Sequence, residues 1–268
     1  MNRLSRRDVM LGAGAFALAT LPAVAAQGKT LLVTHPFFAL HDPGPFIVER
    51  PARLRAIAQA LAAPAFDGLV RQEVPSRSDV EEAILRAHAP AHFKMMQDIA
   101  ADTAHLPHAI DGDTIVSAGT WQAATNAIAA GLHAVDCVIE GRDGIRNAFC
   151  PVRPPGHHAE ASRAMGFCFF SNVAIAAFYA RTRYGAERIA VVDFDVHHGN
   201  DTQKIFWEDR NLFYGSIHEM PLFPGTGAAA ETGVGNIFNA PLAAGDGSAQ
   251  FRSAVSTRIL PALESFKP

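Results

Sequence analysis

The sequence has little cysteine, and its three cysteines do not follow a metal-binding or disulfide pattern. Cys137, Cys150 and Cys168 lack CxxC spacing and stand among apolar neighbours. Isolated cysteines of this kind are typical of buried free thiols rather than of redox or metal sites. Their odd number also argues against a complete disulfide framework, so we expect three free thiols.

Concentrated positive charge is also missing. The chain carries 23 Lys and Arg against 26 Asp and Glu, a net charge of −3, and the basic residues are dispersed. No stretch interleaves basic and aromatic residues as a polynucleotide-binding surface does, which disfavours a nucleic-acid partner. No repeat, linker composition or low-complexity tract divides the chain. A length of 268 residues with 49% hydrophobic content therefore predicts one domain, over residues 26–268.

Long apolar runs are confined to the amino terminus. The paired Arg6 and Arg7 precede a modestly apolar stretch at residues 11–21, and small residues at 23–25 form a cleavage signal. This pattern is typical of a twin-arginine export signal at residues 1–25. We therefore expect a mature chain that starts near Ala26, is exported or periplasmic, and keeps no stable membrane span after cleavage.

Strand and helix patterns alternate along the rest of the chain. Apolar, β-branched runs predict strands at residues 31–34, 147–152, 189–193 and 212–217. Helical periodicity predicts helices at residues 53–61, 117–139, 172–184, 202–206 and 249–263, and Ser78 with Glu81 forms a capping-box pattern for a helix through Ala87. This alternation predicts an α/β fold with a mainly parallel sheet flanked by helices.

Three metal-capable side chains follow one of these strands at every second position. Asp193, Asp195 and His197 come after the apolar residues 189–192. Because alternate side chains of a strand share a face, a buried strand here would present all three on one side at its carboxyl end. That is half of a metal site. The adjacent His157 and His158, in a proline-rich turn, would supply the other half of the chemistry.

Several motifs in order give the chain a family resemblance. They are HDPGP at 41–45 with ERP at 49–51, DGDT at 111–114, RPPGHH at 153–158, GFCFFSN at 166–172, DFDVHHGN at 193–200 and PLFPGTG at 221–227. Together they resemble the histone deacetylase family, near its class II and acetylpolyamine amidohydrolase branch. The resemblance implies an arginase-like α/β fold and hydrolysis of an acetylated small amine or acetyl-lysine by water activated on a metal.

The resemblance also implies roles for individual residues. Asp195 and His197 match two zinc ligands, with ferrous iron as the alternative ion. His157 and His158 match a tandem acid/base pair, and Asp193 and Asn200 match the groups that orient them. A narrow substrate channel is implied by matches at Gly166, Phe167 and Phe223. A structural potassium site is implied by matches at Asp193, Asp195, His197, Ser216 and Ile217.

The chain departs from the family pattern in two places. At residues 44–51 it reads GPFIVERP where the family has GPGHPERP, which replaces a small polar rim with an apolar one. It also ends at Pro268, before the segment that in the family carries a third zinc ligand and a catalytic tyrosine. From this we expect an incomplete carboxyl-terminal part, through a truncated or interrupted reading frame, and low solubility.

Two alternative functions stay open beside the amidohydrolase. A non-catalytic remnant would bind acylamines without holding zinc. An arginase-type ureohydrolase would need a second metal and an Asp-x-His-x-Asp pattern, whereas Gly199 stands at the last position. The sequence indicates no particular oligomeric state.

Overall fold

The structure is a computed structural model, in which residues 28–268 are described; the predicted export signal at residues 1–25 lies outside the described residues. The α-helices are α1 (Ala52–Ala60), α2 (Val80–Ala87), α3 (Pro90–Ala101), α4 (Thr120–Glu140), α5 (Asn172–Tyr184), α6 (Asn200–Phe206), α7 (Ser248–Ala254) and α8 (Leu260–Phe266), with a π turn at Val255–Ile259 between the last two. Short 3₁₀ turns lie at Pro36–Ala39, Pro64–Phe66, Thr103–His105 and Arg142–Gly144. The strands are β1 (Lys29–Thr34), β2 (Val70–Glu73), β3 (His108–Ala109), β4 (Ile115–Val116), β5 (Ile145–Phe149), β6 (Ile189–Asp193), β7 (Leu212–Glu219) and β8 (Ile237–Leu242).

Six of these strands form two parallel sheets, which confirms the predicted α/β class. One sheet has the order β2-β1-β5 and the other has the order β6-β7-β8, while β3 and β4 form a small antiparallel pair. Leu31, Leu32 and Val33 are all buried in β1. A run of buried residues facing both ways is what a strand in a covered parallel sheet requires.

The helices bury a large apolar cluster beside the sheets. The central helix α4 contributes Ile128 and Leu132, which pack with residues of α2, α3, α5 and the segment before α5. Helix α5 begins and ends where its sequence predicts. It ends at Tyr184 because Gly185 adopts a left-handed conformation (φ 69°) that closes the carboxyl end. No helix of the described part of the chain is both long and apolar enough to cross a membrane.

Two local predictions were wrong. The capping box does not form: Asp79 rather than Ser78 is the N-cap of α2, and it makes no capping hydrogen bond because its carboxylate accepts from the Arg77 side chain. Strand β6 is not fully buried either. It is an outer strand of its sheet within residues 28–268, and Val192 keeps 38% of its surface exposed. Phe194 and Val196, which follow this strand, are 75% and 49% exposed.

Candidate active site

The paired histidines lie in the turn between β5 and α5. The rings of His157 and His158 stand 4.0 Å apart between centroids. Arg153 anchors the start of this turn. Its Nε and Nη2 donate to the two carboxylate oxygens of the buried Glu49, each at 2.6 Å. A Cβ at Gly156 would lie 2.6 Å from the backbone nitrogen of Asn172, so only glycine permits this close approach to α5.

His157 is oriented by the carboxylate of Asp193. The distance from His157 Nδ1 to Asp193 Oδ2 is 2.9 Å. The Tyr214 hydroxyl donates to the same oxygen at 3.1 Å, and the Asp195 backbone N–H donates to Oδ1 at 3.1 Å. Burial alone would raise the pKa of Asp193, but the hydrogen bond and charge of His157 outweigh it and lower that pKa. Burial alone would lower the pKa of His157, and the same pairing raises it.

His158 is oriented by an amide instead. Its Nδ1 lies 2.8 Å from Oδ1 of the buried Asn200, the first residue of α6. Burial, together with the charge of His157, lowers the pKa of His158 to about 3. The two adjacent rings therefore have pKa values shifted in opposite directions, which is the arrangement that separates an acid from a base.

Asp195 and His197 come together in the loop after β6, but not by strand alternation. The backbone N–H of Asp195 donates to Asp193 Oδ1, and that of His197 donates to Asp195 Oδ1 at 2.8 Å, so consecutive Asx turns direct these side chains. The strand alternation from which a common face was inferred ends at Asp193, the last residue of β6, so turns and not strand pleating position Asp195 and His197.

The same two side chains fit part of a zinc shell. His197 Nδ1 and Asp195 Oδ1 are 3.1 Å apart. Two donors on a tetrahedral zinc with bonds of about 2.0–2.1 Å would be separated by roughly 3.3 Å. The pair can therefore occupy two corners of one coordination shell. Within residues 28–268 no group of three or more His, Cys, Asp or Glu side chains is arranged to hold a metal ion.

An aromatic side chain covers these groups. The Phe223 ring packs edge-on against His158 and His197, with centroid distances of 5.0 and 6.2 Å. A Cβ at Gly166 would lie 2.6 Å from the His158 ring and 3.0 Å from Phe223, so glycine allows the loop to approach them. Phe167 is half-buried beside it at φ 66°, a conformation that non-glycine residues seldom adopt. Its N–H donates to the hydroxyl of Thr114.

The residues predicted to hold potassium lie on adjacent strands and the loop that follows. Asp193 of β6 pairs with Ser216 of β7, and Ile217 is buried. The Ser216 hydroxyl contacts His218 Nδ1 at 2.8 Å. Potassium binding here stays a prediction.

The packing around Gly199 disfavours a side chain, and so a second metal ligand, at this position. A Cβ there would lie 2.4 Å from Asp193 Oδ2 and 2.7 Å from the Tyr214 hydroxyl. The trailing aspartate of a two-metal ureohydrolase site cannot be accommodated without moving both groups. This packing favours a single-metal site.

Three contacts of the site were not found by sequence reasoning. They are the Glu49–Arg153 pair, the Tyr214–Asp193 hydrogen bond, and a link from Asn200 to Glu160 and Lys204. Both members of the first pair lie within recognised motifs, but nothing in those motifs indicates that residues 104 positions apart meet.

Comparisons with known proteins identify relatives of the chain by sequence and by fold. The sequence model for the histone deacetylase domain matches residues 47–268. An uncharacterized protein of Synechocystis is 39% identical over 86% of this chain and 75% of its own length. A histone deacetylase-like amidohydrolase of Pseudomonas aeruginosa is 37% identical over 74% of this chain, which spans about half, 51%, of that protein. The crystal structure of the HDA15 HD domain superposes with a TM-score of 0.80 at 31% identity, covering 90% of this chain and 69% of that one.

Proposed function

The chain belongs to the histone deacetylase family, and from that membership we propose that it is a zinc-dependent amidohydrolase that removes acetyl groups from lysine-like or polyamine amines. One observation carries the proposal most directly. Two adjacent histidines, each with a partner on Nδ1, lie beside an Asp–His donor pair and beneath one aromatic ring. This arrangement combines proton transfer with carbonyl activation, the two requirements of amide hydrolysis.

Proton transfer is assigned to the two histidines separately. His158 donates from Nδ1 to Asn200, so its Nε2 carries the lone pair that takes a proton from the attacking water. His157 keeps its proton because Asp193 balances the charge, and it provides the acid for the leaving amine. Such transfers are worth roughly 100 to 10,000 fold in rate.

Asp195 and His197 would hold the metal, with ferrous iron as the alternative to zinc. When bound there, zinc supplies Lewis acidity that polarises a carbonyl and lowers the pKa of water to ~7. The rings of Phe167 and Phe223 would contact the methylene stem of the substrate. We further propose that the predicted twin-arginine signal exports the chain, which makes a small acetylated amine a more suitable substrate than a histone.

The test uses the full chain purified with and without added zinc. We expect zinc-dependent release of acetate from an acetyl-lysine peptide or an acetylpolyamine, with metal content measured by mass spectrometry. His158→Ala should lower turnover at least about 100 fold and leave the zinc content unchanged, since this ring is assigned to proton transfer. Asp195→Asn should lower both.

A matched control is His105→Ala, because His105 is an exposed histidine whose side chain, within the described part of the chain, pairs only with Asp102. It should change neither turnover nor metal content. Turnover in His158→Ala at the wild-type rate would contradict the assignment. Acylamine binding without metal or turnover would instead favour a non-catalytic binding role.

A further inference from the structure

A chain of hydrogen bonds leads from His158 to the protein surface. Asn200 accepts from His158 through Oδ1 and donates through Nδ2 to Glu160 Oε1 at 3.2 Å. Lys204 Nζ donates to the other carboxylate oxygen of Glu160 at 2.7 Å. The side-chain exposure along this chain rises outward: Glu160 is 25% exposed and Lys204 is 65% exposed.

The backbone places these groups in register. Asn200 and Lys204 are four residues apart on α6, so their side chains lie on one face of the helix. Glu160 follows His158 by two residues. Its carbonyl oxygen faces His88 Nδ1 at 3.1 Å and accepts from the Arg163 backbone N–H at 3.2 Å. The backbone of Glu160 is thus held in place, and its carboxylate bridges Asn200 and Lys204, which lie one turn apart on α6.

The carboxylate removes an ambiguity that an asparagine would otherwise have. An amide can present either its oxygen or its NH₂ to a neighbour, whereas an ionised carboxylate only accepts. The ionised form of Glu160 is favoured: burial alone would raise its pKa, but the hydrogen bond and charge of Lys204, together with the hydrogen bond of Asn200 and the charge of Arg163, outweigh burial and lower that pKa. The other neighbour of Asn200 Nδ2, Met165 Sδ at 3.7 Å, is too weak an acceptor to decide the orientation.

We propose that Glu160 is a positioning residue that fixes the tautomer of His158 through Asn200. The NH₂ group of Asn200 is held toward Glu160, so its oxygen faces His158 Nδ1. That nitrogen must then carry the proton, and Nε2 is left as the lone pair directed at the substrate. The inference rests on the proposed role of His158 as the base, and it identifies what prepares that base.

Glu160→Gln is the decisive variant, because it keeps the shape and replaces an obligate acceptor with a group that can also donate. The side-chain amide of Asn200 can then flip by about 180°, presenting its NH₂ group to His158 Nδ1, and His158 can carry its proton on Nε2. The readout is the ¹⁵N resonances of His158 in metal-free full-length protein, identified by their loss in His158→Gln. We expect the Nδ1–H tautomer in wild type and a shift toward Nε2–H in Glu160→Gln. Where turnover is measurable, it should fall about 10 to 100 fold.

Further variants separate this role from simple packing. Lys204→Met leaves the carboxylate in place and should keep the Nδ1–H tautomer at pH 8. The double variant Glu160→Gln with Asn200→Asp restores an obligate acceptor beside His158 and should restore Nδ1–H. Glu160→Met also lacks the acceptor, and it replaces Glu160→Gln if that variant does not fold.

A wild-type protein with Nε2–H, or a folded Glu160 variant that keeps Nδ1–H fully, overturns the proposal. Absence of turnover in every protein would count against the proposed function alone, because the tautomer is read without metal or substrate.

Discussion

Removing Arg153 should destabilise the fold strongly, because it leaves a charge buried without its partner. Glu49 and Arg153 form a two-point ion pair whose side chains are only 1% and 4% exposed. A second titratable group, His41, lies with its Nε2 3.5 Å from Glu49 Oε2. Burial and the charge of Arg153 lower the pKa of His41 to about 3, so it is neutral at pH 7 in the intact protein. Burial, the larger of these two causes, remains in the variant and opposes protonation of His41 as a replacement for the lost cation. Breaking such a pair costs about 3–5 kcal/mol, a large part of the 5–15 kcal/mol typical of a domain.

The assay is urea unfolding of Arg153→Met at pH 7, followed by circular dichroism. We expect the midpoint to fall with an unchanged slope, equivalent to about 3–5 kcal/mol. The chain offers a control on the same carboxylate: Arg53 lies 3.7 Å from Glu49 and is 61% exposed, so Arg53→Met should cost under about 1 kcal/mol. The double variant Arg153→Met with Glu49→Leu should recover much of the loss, since no charge is left buried. A cost for Arg153→Met no larger than for Arg53→Met, or additive costs in the double variant, would refute the reasoning.

Three shorter predictions test other parts of the molecule. His88 is 3% exposed, and its Nε2 accepts the Ser171 N–H; burial and the charge of His92 lower its pKa from 6.5 to about 4. The neutral His88 side chain therefore contributes its full stability above pH 6.5, and this contribution is lost as the pH falls toward 4. The difference in free energy of unfolding between wild type and His88→Gln should shrink by about 2 kcal/mol from pH 7 to pH 5. Tyr214→Phe should cost about 1–3 kcal/mol by thermal or urea unfolding, because the Gly199 N–H and Asp193 Oδ2 each lose the hydroxyl; a neutral result would show that this contact contributes nothing. Val192→Lys, on the exposed edge of β6, should reduce concentration-dependent association measured by light scattering, whereas Leu260→Lys on α8, a site 44% exposed, should have a smaller effect; equal effects would exclude the strand edge as the cause.

The sequence predicted those elements whose ends carry local signals. Gly185 marks the end of α5, and the β-branched run at residues 189–193 matches β6. Strand β8 was not predicted. It contains Pro241, which argues against a central strand and is tolerated here since β8 is an outer strand of its sheet within residues 28–268. Helix α3 was also missed, since its buried face includes His92 beside Phe93 and Met96 and gives a weak apolar pattern.

The site was predictable where short motifs carry the chemistry. The Asp193 and Asn200 partners of the two histidines follow from the family resemblance, and both contacts are present as hydrogen bonds. The routes by which side chains meet were not predictable. Asx turns, rather than strand pleating, direct Asp195 and His197, and Glu160 reaches Asn200 across 40 positions of sequence. Such contacts depend on tertiary packing, which no local pattern encodes.

The division of the strands into two sheets affects how the relative positions of the active-site residues are maintained. The histidine turn follows the sheet that ends in β5, whereas Asp195 and His197 follow the sheet that begins with β6. Within residues 28–268 no backbone ladder joins these two strands, so the alignment of base and metal donors relies on side-chain packing, the His157–Asp193 bridge and one backbone hydrogen bond, from the Asp201 N–H to the His157 carbonyl at 3.2 Å. Because a misplacement of about 1 Å can cost on the order of 100 fold in rate, substitutions that slide one half of the molecule against the other should impair turnover as severely as changes to the reacting groups themselves.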